Sequence, residues 1–130
     1  MPISFMDKFE QKALQSAPLK PFYYGRFIDD IFMIWEHGID KLKEFVDHMN
    51  SQHPTIKFTH EFSENQLSFL DTTVVIDHNI NQVYTKLYTK PADTHSYLHW
   101  TSSHYHSCKV NDPYGQFLRL RRICSRSEDW

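Results

Sequence analysis

The sequence is poor in three things. It has three glycines in 130 residues, so tight turns must fall to Asn, Asp and Pro. Its two cysteines, Cys108 and Cys124, have no motif spacing, and without an export signal they read as reduced thiols. No apolar run approaches the roughly 18 residues that span a bilayer. The N-terminal "MPISFMDKFEQKAL" is amphipathic and charged, with no apolar signal-peptide region. These absences argue against a disulfide scaffold or a membrane-spanning protein. They lead to an expected location inside the cell, nuclear or cytoplasmic.

Aromatic residues are abundant, at 15%. The length suits one domain with a modest core. The net charge of −2 hides an asymmetry. Residues 1–85 hold seven Lys/Arg against twelve Asp/Glu, and residues 86–126 hold seven against two. An acidic first part and a basic second part suit separate cation and polyanion surfaces, or simply an uneven surface charge.

The stretch "FIDDIF", residues 27–32, sets Asp29 and Asp30 side by side in the apolar run "PFYYGRFIDDIFMIW". Burying a carboxylate is costly unless it is paired or bound to a cation, and Arg26 is the only nearby base. Residues 22–28 and 31–36 read as two strands joined at the Asp pair. An acidic tip on a rigid hairpin presents hard oxygen ligands, which divalent magnesium requires. A solvated turn is the plain alternative.

Around this hairpin, residues 3–16 read as a helix with Phe5, Phe9 and Ala13 at i, i+4 spacing. Residues 39–52 read as another, with the stripe Ile39, Leu42, Phe45, Val46 and Met49. Phe32 and Ile34 are expected to pack on that second helix. "TIKFTHEF", residues 55–62, alternates as a strand with Ile56, Phe58 and Phe62 on one face. "LSFLDTTVVI" reads as one strand, and residues 67–89 as one β-hairpin. "PYGQFLRLRRICSR" reads as a basic helix with Pro113 in its first turn. The fold class is α+β, with helices on one face of an antiparallel sheet.

These segments together carry a resemblance. "RFIDDIFMIW" looks like the aromatic-x-Asp-Asp motif of reverse transcriptase palms. With "FMDKFEQKAL", "HPTIKFTHEF", "LSFLDTTVVI", "YTKLYTKPADTHSYLHW" and "PYGQFLRLRRICS", in that order, the chain resembles the reverse transcriptase of Penelope-like retroelements from Phe5 to Ser125. The resemblance implies a partial palm over 1–91 and a His-rich, basic, thumb-like segment over 92–130, as a single compact unit. It implies catalytic roles for Asp29, Asp30 and Lys57. Asp29 and Asp30 would hold Mg2+ or Mn2+, and Lys57 would approach an incoming triphosphate. The RNA template and DNA primer would be the partners, with no membrane, and residues 67–89 would resemble a primer-grip hairpin.

The family pattern also has a further metal-binding Asp on an earlier strand. Here only Asp7 precedes Asp29, in a helical pattern that follows no strand. Two-metal transfer needs carboxylates from two strands. The expectation is therefore a truncated polymerase domain, inactive alone and prone to self-association.

Two other functions are weighed beside it. Lys86, Lys90, Lys109, Arg119, Arg121, Arg122 and Arg126 suit phosphate contacts, and Tyr97 and Trp100 suit base stacking, in a non-enzymatic nucleic-acid-binding module. Arg119, Arg122 and Arg126 would share one helix face. The cluster His95, His99, His104, His106 and Cys108 suits a small zinc protein, although no Cys-x-x-Cys or His-Glu-x-x-His spacing supports one.

Overall fold

The computed structural model describes residues 3–94 and 96–130. The fold is mixed α+β, with three α-helices and two small antiparallel sheets among these residues. The chain divides into two compact units, one through Glu61 and one from Phe62 to Trp130.

In the first unit, helix α1 (Ile3–Ser16) leads to the hairpin β1 (Tyr23–Phe27) and β2 (Asp30–Ile34), then to α2 (Ile39–Ser51). The α2 stripe does what its spacing requires: Leu42, Phe45, Val46 and Met49 are buried. Phe45 and Met49 meet Ala13 and Ala17, and Phe9, Leu14, Met33, Trp35 and Phe58 close around them. Small residues at 13 and 17 allow the close approach. His48 of α2 fastens the pair, its Nε2 lying 3.1 Å from the Ala13 carbonyl and 3.1 Å from Ser16 Oγ.

Two expectations fail in this unit. The core-facing residues of β2 are Met33 and, just beyond the strand, Trp35. Ile34 is 38% exposed, and the Phe32 ring lies 6.5 Å from that of Tyr23. Strand side chains alternate faces, so a one-residue misjudgement inverts the set. The Trp35 ring, centred 5.0 Å from that of Phe45, settles the choice. The second failure is at 56–62, where no strand forms. Ile56 and Phe58 do pack inward, but this backbone has a side chain as its partner. Asn50 Oδ1 accepts from the Phe58 N–H at 2.6 Å, and Asn50 Nδ2 donates to the Phe58 carbonyl at 3.1 Å.

The second unit is a three-stranded meander, β3 (Gln66–Phe69), β4 (Thr72–Asp77) and β5 (Gln82–Leu87), followed by α3 (His106–Ile123) and a 3-10 turn at Ser127–Asp129. The run "LSFLDTTVVI" is therefore two strands, with Phe69 paired to Thr72 across a turn at Leu70–Asp71. Leu70 takes φ 55, a conformation that Leu does not advertise. Helix α3 begins seven residues earlier than expected, and Pro113 lies inside it. Lys109, in its first turn, steadies the preceding segment by donating to the Trp100 and Ser102 carbonyls.

The chain after α3 closes the outer edge of β5. The Thr85 hydroxyl donates to the Ile123 carbonyl at 2.7 Å. The Ser125 N–H donates to the Thr85 carbonyl, and the Thr85 N–H to Ser125 Oγ, each at 2.9 Å. No described helix is long and apolar enough to cross a membrane.

Candidate metal-binding hairpin

The β1–β2 register pairs Phe27 with Asp30, leaving Ile28 and Asp29 as a two-residue turn. Asp29 thus occupies the turn and Asp30 opens β2. All four residues are exposed. The question raised by two carboxylates in an apolar run has a direct answer: the flanking strands are half-buried, and the acidic pair lies outside the packed region. Ile28 takes φ 56 and is 64% exposed. A β-branched residue at positive φ is strained, and such strain persists only when its surroundings impose it.

Arg26 does not neutralise the pair. Its guanidinium Nε donates to Glu10 Oε1 at 2.7 Å and its Nη2 to Asp7 Oδ1 at 2.5 Å. Its remaining terminal nitrogen, Nη1, donates to the Ile28 carbonyl at 2.9 Å. The Arg26 side chain is 9% exposed and that of Glu10 is 8%. The hydrogen bond to Glu10 is the foremost cause raising the Arg26 pKa. Tyr24 donates to the same Glu10 oxygen at 3.0 Å. Burial, then the Glu10 charge, pushes the Tyr24 pKa well above its ordinary value.

Glu10 was not anticipated as part of this arrangement, although its signal is readable. It precedes Ala13 by three residues and Ala17 by seven, so it belongs to the buried stripe of α1. A lone arginine on an apolar strand requires a carboxylate.

Among the described residues, no side-chain hydrogen bond or ion pair engages the Asp29 or Asp30 carboxylate, and no group of three His, Cys, Asp or Glu could hold a metal. Asp7, the one earlier aspartate, is committed to Arg26. Two neighbouring hard-oxygen donors still suit Mg2+ or Mn2+, which commonly take one or two carboxylates and complete their shell with water and phosphates.

The other candidate residues lie in varied surroundings. Lys57 Nζ donates to the Asn50 carbonyl at 2.8 Å, at the C-terminal end of α2. Arg119 pairs with Asp71 at 3.0 Å. Arg126 falls beyond α3, not on its face, and pairs with Glu128 and Asp129. It also stacks 3.5 Å from the centre of the Tyr84 ring. The shared arginine face is thereby lost, because the helix ends at Ile123. Lys86 is half-buried, and Lys90 and Arg122 are exposed.

Of the histidine cluster, His95 lies outside the described residues. His99 Nδ1 is 2.7 Å from Thr101 Oγ1, His104 Nδ1 is 3.2 Å from Ser102 Oγ, and His106 lies edge-on to Trp100. Cys108 is exposed and Cys124 buried, both as free thiols. Comparisons of the chain with protein-family models, with curated proteins and with solved structures find no match.

Proposed function

We propose that this chain is a truncated RNA-directed DNA polymerase domain of the Penelope-like reverse transcriptase kind, a partial palm joined to a thumb-like segment. In this reading it keeps the acidic hairpin of the metal site and is inactive alone. The observation that carries the reading is the pair Asp29 and Asp30, exposed at a two-residue turn with Ile28 at positive φ and with the adjacent Arg26 engaged elsewhere.

Asp29 and Asp30 would hold Mg2+ or Mn2+ together with the phosphates of a nucleic-acid substrate. The bound ion would supply charge stabilisation to phosphoryl transfer. Full transfer chemistry needs further carboxylates from another strand, and Asp7, the one earlier aspartate, is paired with Arg26. The partners would be an RNA template and a DNA primer, inside the cell. The exposed Phe27 beside the tip, and the exposed Phe22 and Tyr23 at the hairpin's other end, favour self-association or contact with the missing elements. The engagement of Arg119 and Arg126 within the second unit weakens the reading as a pure nucleic-acid-binding module.

The test is Mn2+ titration followed by NMR, with primer extension alongside. Paramagnetic broadening should centre on the amides of 28–31 and vanish in Asp29→Asn/Asp30→Asn. Primer extension on an RNA template should yield no product. Broadening elsewhere, or none, removes the metal reading, and robust extension removes the claim of inactivity.

A further inference from the structure

We infer that Arg26 is a positioning residue for the hairpin tip: anchored by Glu10 and Asp7 of α1, it holds the Ile28 carbonyl and keeps Ile28 at positive φ. The consequence for metal affinity rests on the reading of Asp29 and Asp30 as ligands. The positioning itself does not.

The turn has a conformational problem. Two-residue hairpin loops favour positive φ because it matches strand twist, and Gly, Asn or Asp normally supply it. Here Ile28 takes φ 56, where its branched Cβ is unfavourable. Hairpin closure supplies part of the cause, as it does for Leu70 at φ 55 in the β3–β4 turn, and at Ile28 a fixed partner is added. One side chain reaches the turn backbone among the described residues, that of Arg26, at 2.9 Å from the Ile28 carbonyl oxygen.

A guanidinium is a planar fork with donors in fixed directions. Glu10 takes Nε and Asp7 takes Nη2. With those two directions set by a helix, Nη1 has one place to point. Glu10 is itself held, by burial and by the Tyr24 hydroxyl. The orientation of the acidic tip is thereby transmitted from α1, a different element, through one planar group. A lysine has a single nitrogen on a flexible stem and cannot serve all three acceptors in this geometry.

The competing account is that Arg26 only ties α1 to the hairpin and leaves the turn indifferent. NMR on the full chain separates the two. The first readout is the strong intraresidue HN–Hα cross-peak that positive φ gives Ile28. The second is the Mn2+ dissociation constant from broadening at the tip. The α2 chemical shifts report that the unit remains folded.

Arg26→Lys should weaken the cross-peak and lower Mn2+ affinity by about tenfold, the low end of the loss that follows when the groups orienting a metal site are removed. Ile28→Asn, which tolerates the left-handed conformation, should restore both in the Arg26→Lys background. A tie between elements would not be rescued at position 28. An unchanged cross-peak and affinity in Arg26→Lys would overturn the inference. If that variant unfolds, Glu10→Gln, which keeps the side-chain volume and removes the charge, takes its place with the same two readouts. If the wild type binds no Mn2+, the metal reading falls and the cross-peak alone decides. Its loss in the variant then supports the positioning role, and its persistence refutes it.

Discussion

Phe45→Ala tests how the first unit is held together. Phe45 is 4% exposed and packs among Ala13, Ala17, Met49 and the Trp35 ring. Ala13 and Ala17 are too small to move into the space left by a phenyl ring, and Trp35 is tied by its Nε1, which donates to the Gly38 carbonyl at 2.9 Å. The cavity should therefore stay largely open. Phe→Ala in such a site costs about 3–5 kcal/mol. Small proteins lose roughly 1 kcal/mol of stability per molar urea at the low end of the range, so the midpoint should fall by about 3 M or more. A unit this small has a stability near the lower end of about 5–15 kcal/mol, so much of it would be gone.

The assay is urea unfolding followed by Trp35 fluorescence, with Trp100 and Trp130 replaced by Phe in every sample. Ile34→Ala is the matched control, because Ile34 is 38% exposed and lies on the other face of β2 from Met33. It should shift the midpoint by less than about 1 M, given its partial exposure. Equal shifts for the two variants, or a larger one for Ile34→Ala, would mean that β2 packs by its other face, and the core described above would be wrong.

Two further outcomes are expected. The Tyr24 pKa is raised chiefly by burial and then by the Glu10 carboxylate, so the folded state resists losing this proton. That contribution is fully present below the unfolded tyrosine pKa of about 10 and is lost as pH rises towards the folded value. In an absorbance titration of the tyrosines one ring should ionise late, and Tyr24→Phe should remove that step and reduce alkaline destabilisation above about pH 10. Asn50→Ala deletes both hydrogen bonds to Phe58. It should cost about 1–3 kcal/mol in urea unfolding and speed amide exchange at Phe58.

Local chemistry was enough to define several elements. The apolar stripe of α2 specifies its buried face because helical periodicity and the need to hide Leu42, Phe45, Val46 and Met49 point the same way. The two strands around Asp29 and Asp30 are equally legible, since aromatic and β-branched arms end at residues that tolerate a turn. The features decided elsewhere depend on partners distant in sequence. Whether Ile56–Phe62 pairs as a strand depends on a neighbouring strand being free, and Asn50 fills that role instead. Which face of β2 turns inward depends on where Trp35 meets Phe45. The break at Leu70 and the strained turn at Ile28 need positive φ from residues that give no sign of it, so only the closed pairings Phe69–Thr72 and Phe27–Asp30 reveal them. The site divides in the same way. An acidic pair is visible in a string of letters, whereas the commitment of Arg26 to Glu10 and Asp7 exists only once α1 lies against the hairpin, because a charge can be neutralised by any carboxylate the fold brings within reach.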